Sequence, residues 1–106
     1  MFALCEYTFT VRVISEKALR IFWKKYRDAE GPLRAWLKIT GKSQWKNFAE
    51  LRMTFNSSDV YRHFTIFDIK GNAYRVIAAI HYDRQKLFVR HVLTHAEYDR
   101  GKWKEE

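Results

Sequence analysis

Apolar residues near the start of the chain alternate with polar ones, as they do in a β-strand that buries one face. The alternation covers Thr8–Ile14 and places Phe9, Val11 and Val13 on one side. The pattern changes after Ser15, where apolar residues recur every three or four positions. This change of period predicts that a short strand leads directly into a helix.

Two helices are predicted in the segment that follows. The first, Glu16–Arg27, has apolar residues at positions i, i+3, i+4 and i+7, and Ser15 is its expected N-cap. Gly31-Pro32 predicts the end of one helix and the start of the next. Helical spacing resumes over residues 33–40, so we expect the two helices to form a hairpin.

The second half of the chain predicts a short helix, three strands and a final helix or turn. Asn47 and Glu50 resemble a capping box in front of a helix over Phe48–Met53. Three strand-like segments joined by short turns predict an antiparallel meander, after which Thr94 and Glu97 form a second capping-box match. The loop and the three strand-like segments are Asn56–Asp59, Arg62–Ile69, Tyr74–Tyr82 and Lys86–Leu93.

Length and charge restrict the class of protein. A chain of 106 residues, 47% of them hydrophobic, predicts a single α+β domain of two layers. Twenty Lys and Arg residues against twelve Asp and Glu give a net charge of +8, which favours a polyanionic partner such as nucleic acid. Residues 12–52, the predicted helical part, carry eleven of the basic and four of the acidic residues. The single Cys5 and the lack of an apolar run of about 18 residues favour a cytoplasmic protein without disulfides or membrane contact.

Several catalytic and metal-binding motifs are missing from the sequence. It contains no P-loop, no G-x-G-x-x-G and no G-x-S-x-G segment. His91 and His95 have H-x-x-x-H spacing, but they lie across the end of a predicted strand, where residues four apart are about 13 Å from each other. We therefore predict neither a metal site nor a cofactor.

Polar side chains instead gather where the predicted strands end. Lys70 and Asn72 share one turn, Arg75 begins the next strand, and His95 and Tyr98 follow the last one. Cleavage of RNA without a metal needs a base for the 2′-OH, cations for the phosphate and an acid for the leaving 5′ oxygen. These residue types can supply all three functions.

The arginines on the predicted strands also have a structural interpretation. Arg75 and Arg90 either lie on an exposed sheet face or form salt bridges with Asp68 and Asp83. The residues after the last predicted strand also have a structural interpretation, in which they form a capped terminal turn that packs on the core. The candidates for binding the RNA backbone are Arg90, Asn72, Lys24 and Lys25.

Several stretches of the chain together carry a family resemblance. The most specific are Phe67-Asp-Ile-Lys-Gly-Asn-Ala-Tyr-Arg and Thr94-His-Ala-Glu-Tyr-Asp, with Val11-Arg-Val-Ile-Ser-Glu-Lys-Ala-Leu-Arg-Ile-Phe-Trp, Asp28-Ala-Glu and Leu33-Arg-Ala-Trp before them. In this order they resemble the HigB family of bacterial toxins, which belongs to the RelE-like superfamily of type II toxin–antitoxin systems. The resemblance covers nearly the whole chain, from about Val11 to Arg100.

The resemblance implies a RelE-like fold and a metal-independent endoribonuclease that cuts mRNA, often on translating ribosomes. It also implies neutralisation by a HigA-like antitoxin with a helix-turn-helix domain, through which alone the toxin would be linked to DNA. By motif position, Arg75 would hold the scissile phosphate and Lys70 would bind backbone or stabilise charge. His95 and Tyr98 would be the acid/base and orienting pair, with their order left open.

Two departures from the family pattern leave alternatives open. Asp68 stands where Asn is expected, and its carboxylate either weakens RNA binding or pairs with Arg75 or Lys70. Residues 1–10 are expected to be an extension of the single domain, residues 1–106.

A non-catalytic RNA- or ribosome-binding module with the same fold is the second hypothesis, and a basic adaptor protein is the third. Only the toxin hypothesis predicts new 5′ ends in mRNA.

Overall fold

The computed structural model describes residues 10–105, and a five-stranded sheet runs through them. The strands are β1 (Arg12–Ile14), β2 (Asp59–Tyr61), β3 (Phe64–Ile69), β4 (Tyr74–His81) and β5 (Lys86–Thr94). They are ordered β1-β5-β4-β3-β2, with β1 parallel to β5 and the other pairs antiparallel. The predicted α+β class is confirmed. The sheet has five strands rather than three or four, because β1 joins one edge and β2 joins the other.

Helices cover the two faces of this sheet unequally. Three of them supply buried residues to the larger core, which lies on one face: α1 (Glu16–Lys25), α2 (Glu30–Gly41) and α3 (Phe48–Thr54). The opposite face is packed by α4 (His95–Arg100) and a C-terminal 3₁₀ helix (Lys102–Glu105), which bury Trp103 against Phe64 and Ile77. The sheet therefore separates a large helical layer from a small C-terminal cover.

The alternation of β4 places its residues on these two sides. Tyr74 and Val76 join the larger core, whereas Ile77 joins the smaller one. Arg75 lies between Tyr74 and Val76, so it faces the C-terminal cover. A bulge follows, because Ile77 pairs with His91 while the next residue pairs with Val89.

The boundary between the first two helices differs from the prediction. Helix α1 ends at Lys25, and a 3₁₀ turn, Arg27–Ala29, separates it from α2. The Gly31-Pro32 pair lies inside the first turn of α2 and does not end α1. Proline is compatible with this position because its missing N–H has no intrahelical partner in the first turn. The two helices do pack against each other, as the predicted hairpin requires.

The predicted caps have different outcomes. Ser15 has left-handed backbone (φ 76°) and its side chain makes no capping bond. Asn47 caps α3 by accepting a hydrogen bond from the backbone N–H of Glu50. The Glu50 carboxylate accepts the backbone N–H of Lys46 instead of that of Asn47, so the predicted capping box is only half formed. Around Thr94 both bonds of the predicted capping box are present.

The strand boundaries also need correction. Arg62 has left-handed backbone (φ 57°), so β3 begins after it, at Phe64. The chain before this turn forms β2, which starts at Asp59 within the predicted loop. The predicted strand residues Thr8 and Phe9 lie outside the described residues.

Candidate active site

The turn between β3 and β4 meets the start of α4 at one end of the sheet. The chain reverses direction through left-handed backbone at Lys70 (φ 55°) and Gly71 (φ 67°). The backbone N–H of His95 donates a hydrogen bond to the carbonyl oxygen of Ala73 at 2.9 Å. This bond joins the turn that contains Lys70 to the helix that contains His95 and Tyr98.

Arg75 is held by several contacts on the face that α4 covers. It pairs across the strands with Asp68, and its Nε lies 3.1 Å from Asp68 Oδ1. One terminal nitrogen donates to the carbonyl oxygen of Asn72 at 2.9 Å. The guanidinium carbon lies 4.7 Å from the centre of the Tyr98 ring. The Arg75 side chain is only 11% exposed, so these contacts fix the plane of its guanidinium.

The Tyr98 ring is positioned by the C-terminal 3₁₀ helix as well as by Arg75. Trp103 stacks on it with ring centroids 5.3 Å apart and an interplanar angle of 12°. The indole N–H also donates to the carbonyl oxygen of Tyr98 at 3.0 Å. Since Trp103 is itself buried, the tyrosine has a fixed support on one side.

His95 is the first residue of α4, and about half of its side chain is exposed. Its Nε2 lies 3.1 Å from Asp99 Oδ2, one helical turn further on. In the neutral ring, the N–H of Nε2 donates to this carboxylate and Nδ1 is the acceptor.

Lys70 has its partner on the helical side of the molecule. Its ammonium lies 2.6 Å from Asp28 Oδ2, and the hydroxyl of Tyr74 donates to the other oxygen at 2.5 Å. The two hydrogen bonds, that from Lys70 first, hold the pKa of Asp28 below its ordinary value. The bond to Asp28 raises the pKa of Tyr74 to about 12. Lys70 therefore lies in the turn of the candidate site, but its charge is neutralised from the other side.

The predicted backbone-binding residues are not gathered around Arg75. Arg90 occupies the bulge on β5 and shares with Lys25 a groove of about 420 Å³ between α1 and β5. Arg75 and Tyr98 are not part of the lining of this groove. Lys24 is exposed on α1, and Asn72 contacts Arg75 through its backbone carbonyl rather than its side chain.

Two further features of the structure concern metal ligands and membrane-spanning helices. His91 and His95 lie on different elements, the first on β5 and the second on α4. Within residues 10–105, no three His, Cys, Asp or Glu side chains are grouped as ligands of a metal ion. No helix in the same range is long and apolar enough to cross a membrane.

Two residues of the site carried no clear signal in the sequence. Trp103 lies in a polar C-terminal segment without hydrophobic periodicity, and only its size in such a segment marks it. Asp28 appeared only within a family motif, although it binds both Lys70 and Tyr74. The partners of Asp28 lie 42 and 46 positions away in the sequence, a separation over which a local pattern indicates nothing.

Comparison with known proteins agrees with the fold. The HigB toxin family, described as the RelE-like toxic component of a toxin-antitoxin system, matches residues 29–101. The mRNA interferase toxin HigB of Escherichia coli K12 is 32% identical over 92 residues, which cover 84% of this chain and 88% of the relative. The mRNA interferase HigB of Shigella flexneri shows the same identity and coverage. That of Escherichia coli O6:H1 is 27% identical over 93 residues, covering 85% of this chain and 90% of the relative.

The fold and the matched segment thus define a RelE-like toxin domain. The chain belongs to the HigB toxin family, and the resemblance found in its sequence motifs is confirmed.

Proposed function

We propose that this protein is the toxin of a toxin–antitoxin system and cleaves mRNA as a metal-independent endoribonuclease. The single observation that carries the proposal is the set of contacts around Arg75, whose guanidinium is fixed by Asp68, the Asn72 carbonyl and the Tyr98 ring. Within residues 10–105, two of the five N–H groups of the Arg75 guanidinium make these polar contacts. The other three N–H groups are available to bind a phosphate. The mRNA interferase names of the relatives support an RNA substrate.

The proposed reaction is an attack of a ribose 2′-OH on the adjacent phosphorus. A base removes the 2′ proton as the new O–P bond forms, and an acid protonates the 5′ oxygen as its bond to phosphorus breaks. The products are a 2′,3′-cyclic phosphate and a free 5′-OH. Arg75 stabilises the charge on the pentavalent phosphate, while His95 and Tyr98 divide the proton transfers and the orientation of the nucleophile. Lys70 contributes to phosphate binding when its ammonium leaves Asp28.

The cellular context of the proposal follows from the family. The description of the family as one component of a toxin–antitoxin system supports a HigA-like helix-turn-helix antitoxin as partner. The toxin would then be linked to DNA only through that antitoxin. Its substrate would be mRNA on translating bacterial ribosomes, which places the protein in the cytoplasm.

Controlled expression in a bacterium with mapping of mRNA 5′ ends tests the proposal. We expect growth arrest and new 5′ ends with the wild type, loss of both with His95→Ala, and a strong reduction with Tyr98→Phe. His81→Ala is the matched control, because this exposed histidine lies at the far end of β4 and should leave cleavage unchanged.

The outcomes separate the alternatives. Arrest without new 5′ ends would favour the non-catalytic module that blocks translation by binding RNA or the ribosome. Equal cleavage by the wild type and His95→Ala would show that the reaction does not use this histidine. If neither arrest nor cleavage occurs, the endoribonuclease proposal is wrong for this chain.

A further inference from the structure

A second groove lies next to the candidate active site and shares His91, Leu93 and Glu97 with the groove between α1 and β5. It has a volume of about 420 Å³ and separates the end of β5 from the C-terminal 3₁₀ helix. Trp103, which supports the Tyr98 ring, forms part of its wall, so the groove adjoins the site directly. Its lining residues are His91, Leu93, Glu97, Arg100, Lys102 and Trp103.

The groove carries available positive charge. Arg100 and Lys102 are both exposed, and within residues 10–105 neither forms an ion pair. Glu97 is the acidic residue of the lining, but its carboxylate accepts the backbone N–H of Thr94 in the capping box at 2.9 Å. The two cations outnumber this one carboxylate, so the lining has a net positive charge.

The same charge continues from the groove towards β2. Lys104 has its ammonium 5.6 Å from the Trp103 ring centroid and 5.0 Å from that of Tyr61. Tyr61 lies on β2, and the guanidinium carbon of Arg62 is also 5.3 Å from the centroid of its ring. Since Trp103 is buried, these rings hold the cations in place, and such cations can contact the phosphates of single-stranded RNA.

We infer that this groove binds the nucleotide next to the scissile phosphate, with Arg100 and Lys102 on its phosphate group. The inference rests on the proposed RNA cleavage, because the groove shares with the candidate site the Trp103 ring that stacks on Tyr98. A phosphate is the occupant that the two exposed cations of the lining favour, and binding of an acidic protein segment is an alternative outcome of the test.

The salt dependence of RNA binding tests the inference. A short single-stranded oligoribonucleotide with 2′-O-methyl groups at every position binds without being cut, because the attacking hydroxyl is blocked. Each phosphate contact contributes about 0.7 to the slope of log K against log salt for a single strand. Because both cations contact one phosphate, we expect the Arg100→Gln/Lys102→Gln double variant to lower the magnitude of this slope by about 0.7.

The matched control is the Lys38→Gln/Lys42→Gln variant. It also removes two exposed cations from the C-terminal end of a helix, α2, but on the helical layer. We expect it to keep the wild-type slope. Arg100→Lys/Lys102→Arg keeps both charges and should also retain the slope, which excludes a mere folding effect.

Three results would overturn the inference: an unchanged slope in the Gln double variant, an equal loss in the control variant, or no measurable RNA binding by the wild type. Unchanged RNA binding with weakened binding of an acidic protein partner would assign the groove to that partner. Cleavage of unmodified RNA is measured separately. If the Gln double variant has a reduced slope but the wild type does not cleave RNA, the proposed function is refuted and RNA binding in the groove is supported. If the wild type cleaves RNA but the double variant has an unchanged slope, only RNA binding in the groove is refuted.

Discussion

Arg75 forms a salt bridge with Asp68, the residue for which the sequence left two alternatives open. Of these alternatives, weaker RNA binding or pairing with Arg75 or Lys70, the structure shows the pair with Arg75. Both side chains are largely buried, so the carboxylate offsets part of the desolvation of the guanidinium. The pair leaves part of the guanidinium fork available, because only its Nε faces Asp68.

Replacing Arg75 by lysine tests the importance of this geometry. An ammonium group is a point charge and cannot hold Asp68, the Asn72 carbonyl and a phosphate in one plane. We expect Arg75→Lys to lower the single-turnover cleavage rate on the order of 10²-fold, as loss of a preorganised donor does. Arg84→Lys, in an exposed turn, is the control. A wild-type rate for Arg75→Lys would mean that charge alone is sufficient.

Tyr74 gives the protein a pH dependence of stability at the alkaline end. The hydrogen bond to Asp28 raises its pKa from 10.0 to about 12, so the folded protein retains a proton that the unfolded chain loses. The stabilisation is complete below pH 10 and is lost as the pH rises towards 12. We expect the stability difference between the wild type and Tyr74→Phe, measured by urea unfolding, to be constant below pH 10 and to shrink above it. A constant difference across this range would contradict the raised pKa.

Helix α4 depends on contacts outside itself. With six residues it is too short to be stable alone, and it is held by the capping box at Thr94, by left-handed Gly101 at its end and by the indole of Trp103. His95 and Tyr98 both lie on this helix. The geometry of the candidate site therefore depends on how well α4 is fixed at its two ends.

Removal of the cap should weaken the protein and the site together. We expect Thr94→Ala to lower the free energy of unfolding by about 1 kcal/mol, the usual effect of losing an N-cap, and to lower cleavage as well. Ser15→Ala is the matched control, because Ser15 occupies an N-cap position without a capping bond. Urea unfolding of both variants measures the difference. Equal losses would show that the Thr94 bonds add nothing to stability.

On the scale of the whole molecule, the sheet places charge and chemistry on opposite sides. The helical layer carries most of the positive charge expected from residues 12–52, whereas Arg75 and Tyr98 lie on the other face. The field of Lys24 and Lys25 extends over a Debye length, about 8–10 Å, and attracts polyanions without contact at the candidate site.

The features that depend on neighbouring residues were predictable from the amino-acid sequence. The α+β class, the three central strands, α3 and the capping box at Thr94 were all predicted, because hydrophobic period and cap chemistry act over a few positions. The same local reasoning failed at Ser15, where the backbone is left-handed. It also placed a helix end at Gly31, inside α2.

The partners of the candidate residues depend on tertiary contacts, which the local sequence pattern does not predict. Lys70 meets Asp28 across 42 positions of sequence, and Arg75 meets Tyr98 only because α4 folds back over β4. Trp103 completes the site from a segment without periodicity. Such contacts depend on which face of the sheet each side chain occupies and on what covers that face. These are properties of the packed chain, so residue types and spacing indicated candidate residues but not the geometry in which they meet.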